Sequence, residues 1–190
     1  MRRHATRRLW ILLLIPLVTC ACASLDPARM APQPSGTLPT KIDTRIKVMD
    51  VSGGRESVFG GPQMIEGQQY KEALILALER SGLFKDVSSE HGDLNLYTTI
   101  RSQDQKVSRG LQYTATMVVT YRFTDAADNL VWSASYDSEF SSTAISGATR
   151  TVSAREGSAR ENLASLVRGI REQWPSNAAQ VGAAGSHSSN

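Results

Sequence analysis

Cys20 and Cys22 are the only cysteines in this 190-residue chain, and both stand at the end of an apolar run. The residues after them offer no thiolate, no disulfide and no cysteine metal ligand, which excludes thiol enzymes, zinc ribbons and redox proteins. Of the three histidines, His4 precedes that run and His187 lies in a tail of Gly, Ser and Ala, leaving His91 for imidazole chemistry. His91 sits in Ser88-Ser89-Glu90-His91-Gly92-Asp93. A Ser-His-Asp site is defined by geometry and roles, which adjacency in one turn does not supply, so His91 reads as a solvated loop residue. The segment from Gly53 to Gly61 sits between an expected strand and an expected helix, the place where phosphate-cradling loops occur. It lacks both the Lys-Ser/Thr ending and the G-x-G-x-x-G spacing, and Pro62 removes an amide, so it reads as a connection. Asp137 and Glu139 share one face of a strand without a third acid or a histidine nearby, as an ordinary polar face would. Arg101, Lys106 and Arg109 are opposed locally only by Asp104 and form a basic group suited to phosphates, glycans or an acidic partner. No acid, base and nucleophile set emerges, so the sequence predicts a non-enzyme that needs no cofactor and no metal.

The two cysteines acquire a role from what precedes them. Met1 to Arg8 is basic, and Leu9 to Val18 is apolar and interrupted by Pro16. Ten helical residues rise about 15 Å, half of a ~30 Å hydrocarbon core, too short for a permanent span and suited to a signal peptide. The sequence Leu17-Val18-Thr19-Cys20-Ala21-Cys22-Ala23 resembles the lipobox of bacterial lipoproteins, in which a cysteine is acylated and becomes the new N-terminus. Cys22, with the small Ala21 before it, is the favoured site. Cys20, with Leu17 three residues upstream, is the alternative register. In that family an aspartate after the modified cysteine retains the protein in the inner membrane; Ala23, or Ala21 in the other register, implies the outer membrane. Arg2, Arg3, Arg7 and Arg8 hold four of the 21 basic groups, so without the leader 17 bases face 18 acids. A near-neutral mature chain argues against a nucleic-acid binder.

The elements that must position any site follow from periodicity. Residues 1–21 are the signal peptide, and 22–40, with four of the seven prolines, read as the acylated cysteine and an extended tether. Residues 41–174 form a periplasmic domain, and 175–190 a disordered tail. Ile42, Thr44, Ile46 and Val48 alternate with polar residues as a half-buried strand does. Tyr70, Ala73, Leu74, Ala77 and Leu78 make one helical stripe, stopped by Ser81-Gly82 with Leu83 and Phe84 folding back on the last turn. Leu94, Leu96, Thr98 and Ile100 mark a second strand. Leu111, Tyr113, Ala115, Met117, Val119, Tyr121 and Phe123 mark a third, and Leu130, Trp132, Ala134, Tyr136 and Phe140 a fourth. Val152, Ala159, Leu163, Leu166, Ile170 and Trp174 line a long helix ended by Pro175. The order β-α-β-β-β-α predicts an α+β fold, an antiparallel sheet with both helices on one face.

Tyr70-Lys71-Glu72-Ala73-Leu74, Leu78, Ser81-Gly82-Leu83-Phe84 and Asp93-Leu94 together resemble a pattern of small uncharacterised proteobacterial outer-membrane lipoproteins. Tyr121, Val131-Trp132, Gly147, Arg150, Ala154, Glu156-Gly157, Arg160 and Asn162-Leu163 continue it. The layout is more remotely similar to the lipopolysaccharide-assembly lipoprotein that plugs the outer-membrane translocon, to lipoprotein activators of penicillin-binding proteins, and to auxiliary lipoproteins of ABC-type lipid transport. The resemblance implies a non-catalytic accessory or assembly factor, held to the outer membrane by its acyl anchor and bound to another envelope protein. Arg101, Lys106 and Arg109, around the connection between the second and third strands, are the candidate contacts. A lipid- or glycan-binding module is the alternative, with Tyr97 as the only aromatic on the outward face of its strand. A hydrolase or transferase lacks a residue set to support it.

Overall fold

The computed structural model describes residues 24–33, 41–54, 64–108, 112–144 and 146–174. Its elements are α1 (Pro27–Met30), β1 (Ile42–Val48), β2 (Ser52–Gly53), α2 (Gly67–Ser81), β3 (Phe84–Ser88), β4 (Leu94–Val107), β5 (Tyr113–Thr124), β6 (Leu130–Ser142) and α3 (Gly147–Gln173). They build an α+β molecule in which α2 and α3 cover one face of a six-stranded sheet. The apolar stripes read from the sequence become that interface. Tyr70, Ala73, Leu74, Ala77 and Leu78 of α2 are buried, as are Val152, Ala159, Leu163, Leu166 and Ile170 of α3. They meet Ile46, Val48, Leu94, Leu96, Met117, Val119, Tyr121 and Phe123 of the strands in one core. Gly82, at φ 62°, ends α2 in the left-handed conformation that glycine adopts without steric cost.

The sheet is mixed, which corrects the purely antiparallel expectation. Its order is β3-β1-β4-β5-β6, with β2 also pairing β4. Only β4-β5-β6 is an antiparallel meander; β1 lies parallel to both β3 and β4. A parallel neighbour needs a long crossover, and α2 supplies one between β1 and β3. The connection from β3 to β4 then passes across β1. Gly92 lies against that strand so closely that a Cβ would sit 2.3 Å from the Lys47 nitrogen. Asp93 fastens the crossing: its N–H donates to the Arg45 carbonyl at 2.8 Å, and its carboxylate accepts from Arg45 Nη2 at 2.7 Å.

The Pro-rich segment also departs from an extended tether over part of its length. Asp26 accepts from the Ala28 N–H and caps α1, and Pro27 occupies the first helical turn. Leu25, Met30 and Ala31 belong to the core, with Met30 fully buried. Three scattered apolar residues leave no readable period, so the burial of this turn is set by the grooves of α2 and α3 that receive it. At the other end of α3, Trp174 stacks edge-on against Phe84 and Phe123, with ring centroids 5.3 and 5.1 Å apart. Among the described residues, no helix is long and apolar enough to cross a membrane.

Candidate functional site

Of the three cations singled out in the sequence, two lie within the described residues, Arg101 and Lys106, and they stand apart along β4. β4 continues past the expected strand end to Val107, and Arg101 lies within it, at the irregularity between Ile100 and Ser102. Such a bulge inserts a residue and changes which side chains face which way. Before it, Leu94, Leu96, Thr98 and Ile100 face the core; beyond it the half-buried residues are Gln103 and Gln105, while Ser102, Asp104 and Lys106 are exposed. Arg101 turns outward, its Nε donating to Thr120 Oγ1 at 3.3 Å. Lys106 pairs opposite Thr114, about 17 Å farther along the strand at ~3.4 Å per residue. Arg109 lies outside the described residues, as do Cys20 and Cys22.

These cations belong to a broader surface, the outer face of β4, β5 and β6. The cross-strand rows are Thr99, Thr120 and Ser135; Ser102, Val118 and Asp137; Asp104, Thr116 and Glu139; Lys106, Thr114 and Ser141. Hydroxyls bridge neighbouring strands, Thr114 to Ser141 at 2.7 Å and Thr120 to Ser135 at 3.3 Å. Asp137 and Glu139, read as a polar strand face, stand exposed on this surface with Asp104 nearby. Among the described residues no helix covers it. His91 is an exposed loop residue whose Nε2 lies 3.3 Å from Asp86 Oδ2.

The inner face holds the most tightly built polar group. The hydroxyls of Tyr70 and Tyr121 are 2.5 Å apart, and Asn162 Oδ1 lies 2.7 Å from Tyr121 and 3.2 Å from Tyr70. Two protons serve three contacts, so the distances favour Tyr70 donating to Tyr121 and Tyr121 to Asn162. Asn162 Nδ2 in turn donates to the Tyr136 carbonyl at 2.8 Å. The cluster therefore joins α2, β5, α3 and β6. Burial, the largest cause, pushes both phenols above the ordinary tyrosine range, so they stay neutral and act as fixed hydrogen-bonding groups. In the sequence Tyr70 and Tyr121 look like members of apolar stripes, and nothing in their spacing reveals that their hydroxyls meet.

Two charged residues of α3 are buried. Arg155 is buried, with Nη1 2.8 Å from Met64 Sδ and Nη2 donating to Gln105 Oε1 at 2.7 Å, and burial lowers its pKa. Glu156 is buried under α1 and accepts the Asp26 N–H at 2.9 Å, although an i, i+4 spacing to Arg160 is what a solvated helix face would show. Burial raises its pKa, partly opposed by that hydrogen bond and by Arg29. On either side of α1 the helices leave two grooves. One of about 450 Å³ includes Arg29, Phe140, Ser153 and Arg160. Another of about 250 Å³ includes Pro32, Ala77, Ala164, Val167 and Arg168.

Residues 62–173, more than half of the chain, match the model of a family described as LptE, lipopolysaccharide-assembly. No curated protein matches the chain. A solved protein from Xanthomonas campestris superimposes with a TM-score of 0.57 at 15% identity, covering 74% of this chain and 91% of its own. A minor lipoprotein from Acinetobacter baumannii gives a TM-score of 0.49 at 8% identity, covering 70% and 94%. A putative lipoprotein from Caulobacter crescentus gives 0.43 at 14% identity, covering 65% and 88%. At such identities the Xanthomonas structure speaks for a shared fold.

Proposed function

The chain belongs to the lipopolysaccharide-assembly (LptE) family, and from that membership we propose that it is a non-catalytic accessory lipoprotein of an outer-membrane assembly, working by holding another envelope protein. In this reading Cys22, or Cys20 in the alternative register, carries the acyl anchor, and the folded domain stands in the periplasm. The family's association with the outer membrane supports the location. One observation carries the mode of action. Tyr70, Tyr121 and Asn162, members of the pattern that resembles small lipoproteins, are buried inside the scaffold, whereas β4, β5 and β6 present an outer face with no helix on it among the described residues. A rigid sheet lined with Thr and Ser hydroxyls, Asp104, Asp137, Glu139, Arg101 and Lys106 can exchange hydrogen bonds and charges with a partner. Exposed charges of this kind act chiefly on association rate and specificity. Arg101 and Lys106, set along the sheet, are thus partner contacts, and Arg109, outside the described residues, is proposed as a third.

The test uses photo-crosslinking in intact envelopes, after mass spectrometry of the mature N-terminal peptide has located the acyl groups. A crosslinker replacing Thr116 should capture one envelope protein in stoichiometric amount, and one replacing Glu72 on α2 should not. Reversing charge at Arg101, Lys106 and Arg109 should reduce that capture, most at low salt. Equal capture from both positions, or none from Thr116, would refute docking through the sheet.

A further inference from the structure

The way α1 is seated bears on how the anchored domain lies against its membrane. Leu25 is 4% exposed. The next residue, Asp26, donates its N–H to the buried Glu156 at 2.9 Å, and Arg80 Nη1 donates to the carbonyls of Ala28 and Ala31, each at 3.1 Å. Residues from Leu25 to Ala31 are therefore fixed to α2 and α3. Only three residue steps separate Leu25 from Cys22, a span of at most ~10 Å. A free tether over 22–40 would allow ~55 Å. An acyl group on Cys22 thus draws one particular face of the domain to the lipid.

That face is rich in arginine. Arg29 and Arg160 line the larger groove beside α1, and Arg168 and Arg171 line the smaller one with Pro32 and Gln33. The Arg29 side chain is 69% exposed. Asp26 and the buried Glu156 lie 3.6 and 3.9 Å from the Arg29 guanidinium and offset part of its charge, leaving Arg160, Arg168 and Arg171 as the further cations of this face. The opposite side of the molecule, the outer sheet face, mixes Asp104, Asp137 and Glu139 with Arg101, Lys106 and Arg122. Basic residues held close to a membrane are attracted to anionic lipid headgroups within about a Debye length.

We infer that the α1 face, with Arg29, Arg160, Arg168 and Arg171, rests on the anionic phospholipid headgroups of the membrane that holds the acyl chains, and that the outer sheet face is turned away from it. This orientation rests on the lipoprotein reading above, and it leaves the sheet free for an envelope partner.

The experiment uses the mature acylated chain, floated on vesicles of phosphatidylglycerol and phosphatidylcholine that carry a headgroup-attached quencher. A fluorescent amino acid replaces either Ala28 on α1 or Ser133 on the outer sheet face. Quenching at position 28 should exceed that at position 133 several-fold. The excess should shrink in pure phosphatidylcholine, at high salt, and in the triple variant Arg29→Glu, Arg160→Glu, Arg168→Glu. Equal quenching at the two positions overturns the orientation alone. An excess indifferent to headgroup charge and to salt overturns the headgroup contact, whether or not the triple variant folds. A chain that fails to float overturns the anchor and the orientation together.

Discussion

Tyr70, Tyr121 and Asn162 form a buried triangle in which Tyr121 makes the two shorter contacts and Tyr70 to Asn162, at 3.2 Å, the longest. Tyr121→Phe takes away both short contacts and leaves only the longer Tyr70–Asn162 bond at 3.2 Å, so its cost should lie toward the lower end of the about 1–3 kcal/mol of a buried polar atom left without a partner. Tyr70→Phe leaves the Tyr121–Asn162 bond in place and should cost less. Urea denaturation of the two variants should therefore rank them in that order, and equal losses would contradict the proton arrangement. Glu156 makes a second prediction, with a defined sign. Its folded-state pKa is raised above the ordinary 4.5, so the folded state binds its proton more readily, and the stability contributed by that proton is lost as pH rises through the raised value. Glu156→Gln keeps an oxygen to accept the Asp26 N–H and avoids a buried charge. It should be at least as stable as the parent at pH 7, with the difference vanishing below the ordinary glutamate range. Thermal melts across that window would check it, and an advantage that grew on acidification would refute the assignment.

Between elements, α3 lies on β6 through two glycines. A Cβ on Gly157 would stand 2.2 Å from the Phe140 ring, and one on Gly169 would stand within bonding distance of the Tyr136 hydroxyl. Alanine ordinarily favours a helix over glycine by ~1 kcal/mol. Here Gly157→Ala should instead destabilise by about 1–3 kcal/mol through overpacking, and Phe140→Ala in the same chain should remove that penalty, as a double-mutant cycle would show. The same elements explain what could be read in advance. β5 was legible because Tyr113 to Phe123 keeps one register and every second residue turns inward. The far half of β4 was not, because the bulge at Arg101 reverses the alternation and the residues it turns inward, Gln103 and Gln105, are polar. β3 escaped because Phe84 and Val87 stand three apart and give no two-residue period. Antiparallel pairing was expected from strands taken as hairpin neighbours, while α2 acts as the crossover that makes β1 and β3 parallel.

At the scale of the whole molecule, the domain begins earlier than its first strand. The sequence places the domain at 41–174, yet Leu25 and Met30 fill the core from outside that range, and losing a buried side chain of this size costs about 2–5 kcal/mol. A chain from Lys41 to Trp174 should melt well below the mature protein, and Met30→Ala should reproduce part of the loss in an otherwise intact chain. Identical midpoints would remove α1 from the core. The central place of β1 carries a further consequence, for the order of events in folding. Ile42 and Ile46 find their partners in Phe84 and Leu94, on strands made later in the chain and set on opposite sides of β1. A polypeptide emerging from its N-terminus has nothing for β1 to pair with until α2 and β3 have followed, and the other edge of β1 waits for the crossing at Gly92 and for β4. Sheets closed by such distant contacts form slowly. On the lipoprotein reading proposed above, slow closure is useful: the first strand through the membrane is the one that cannot fold before the rest has arrived.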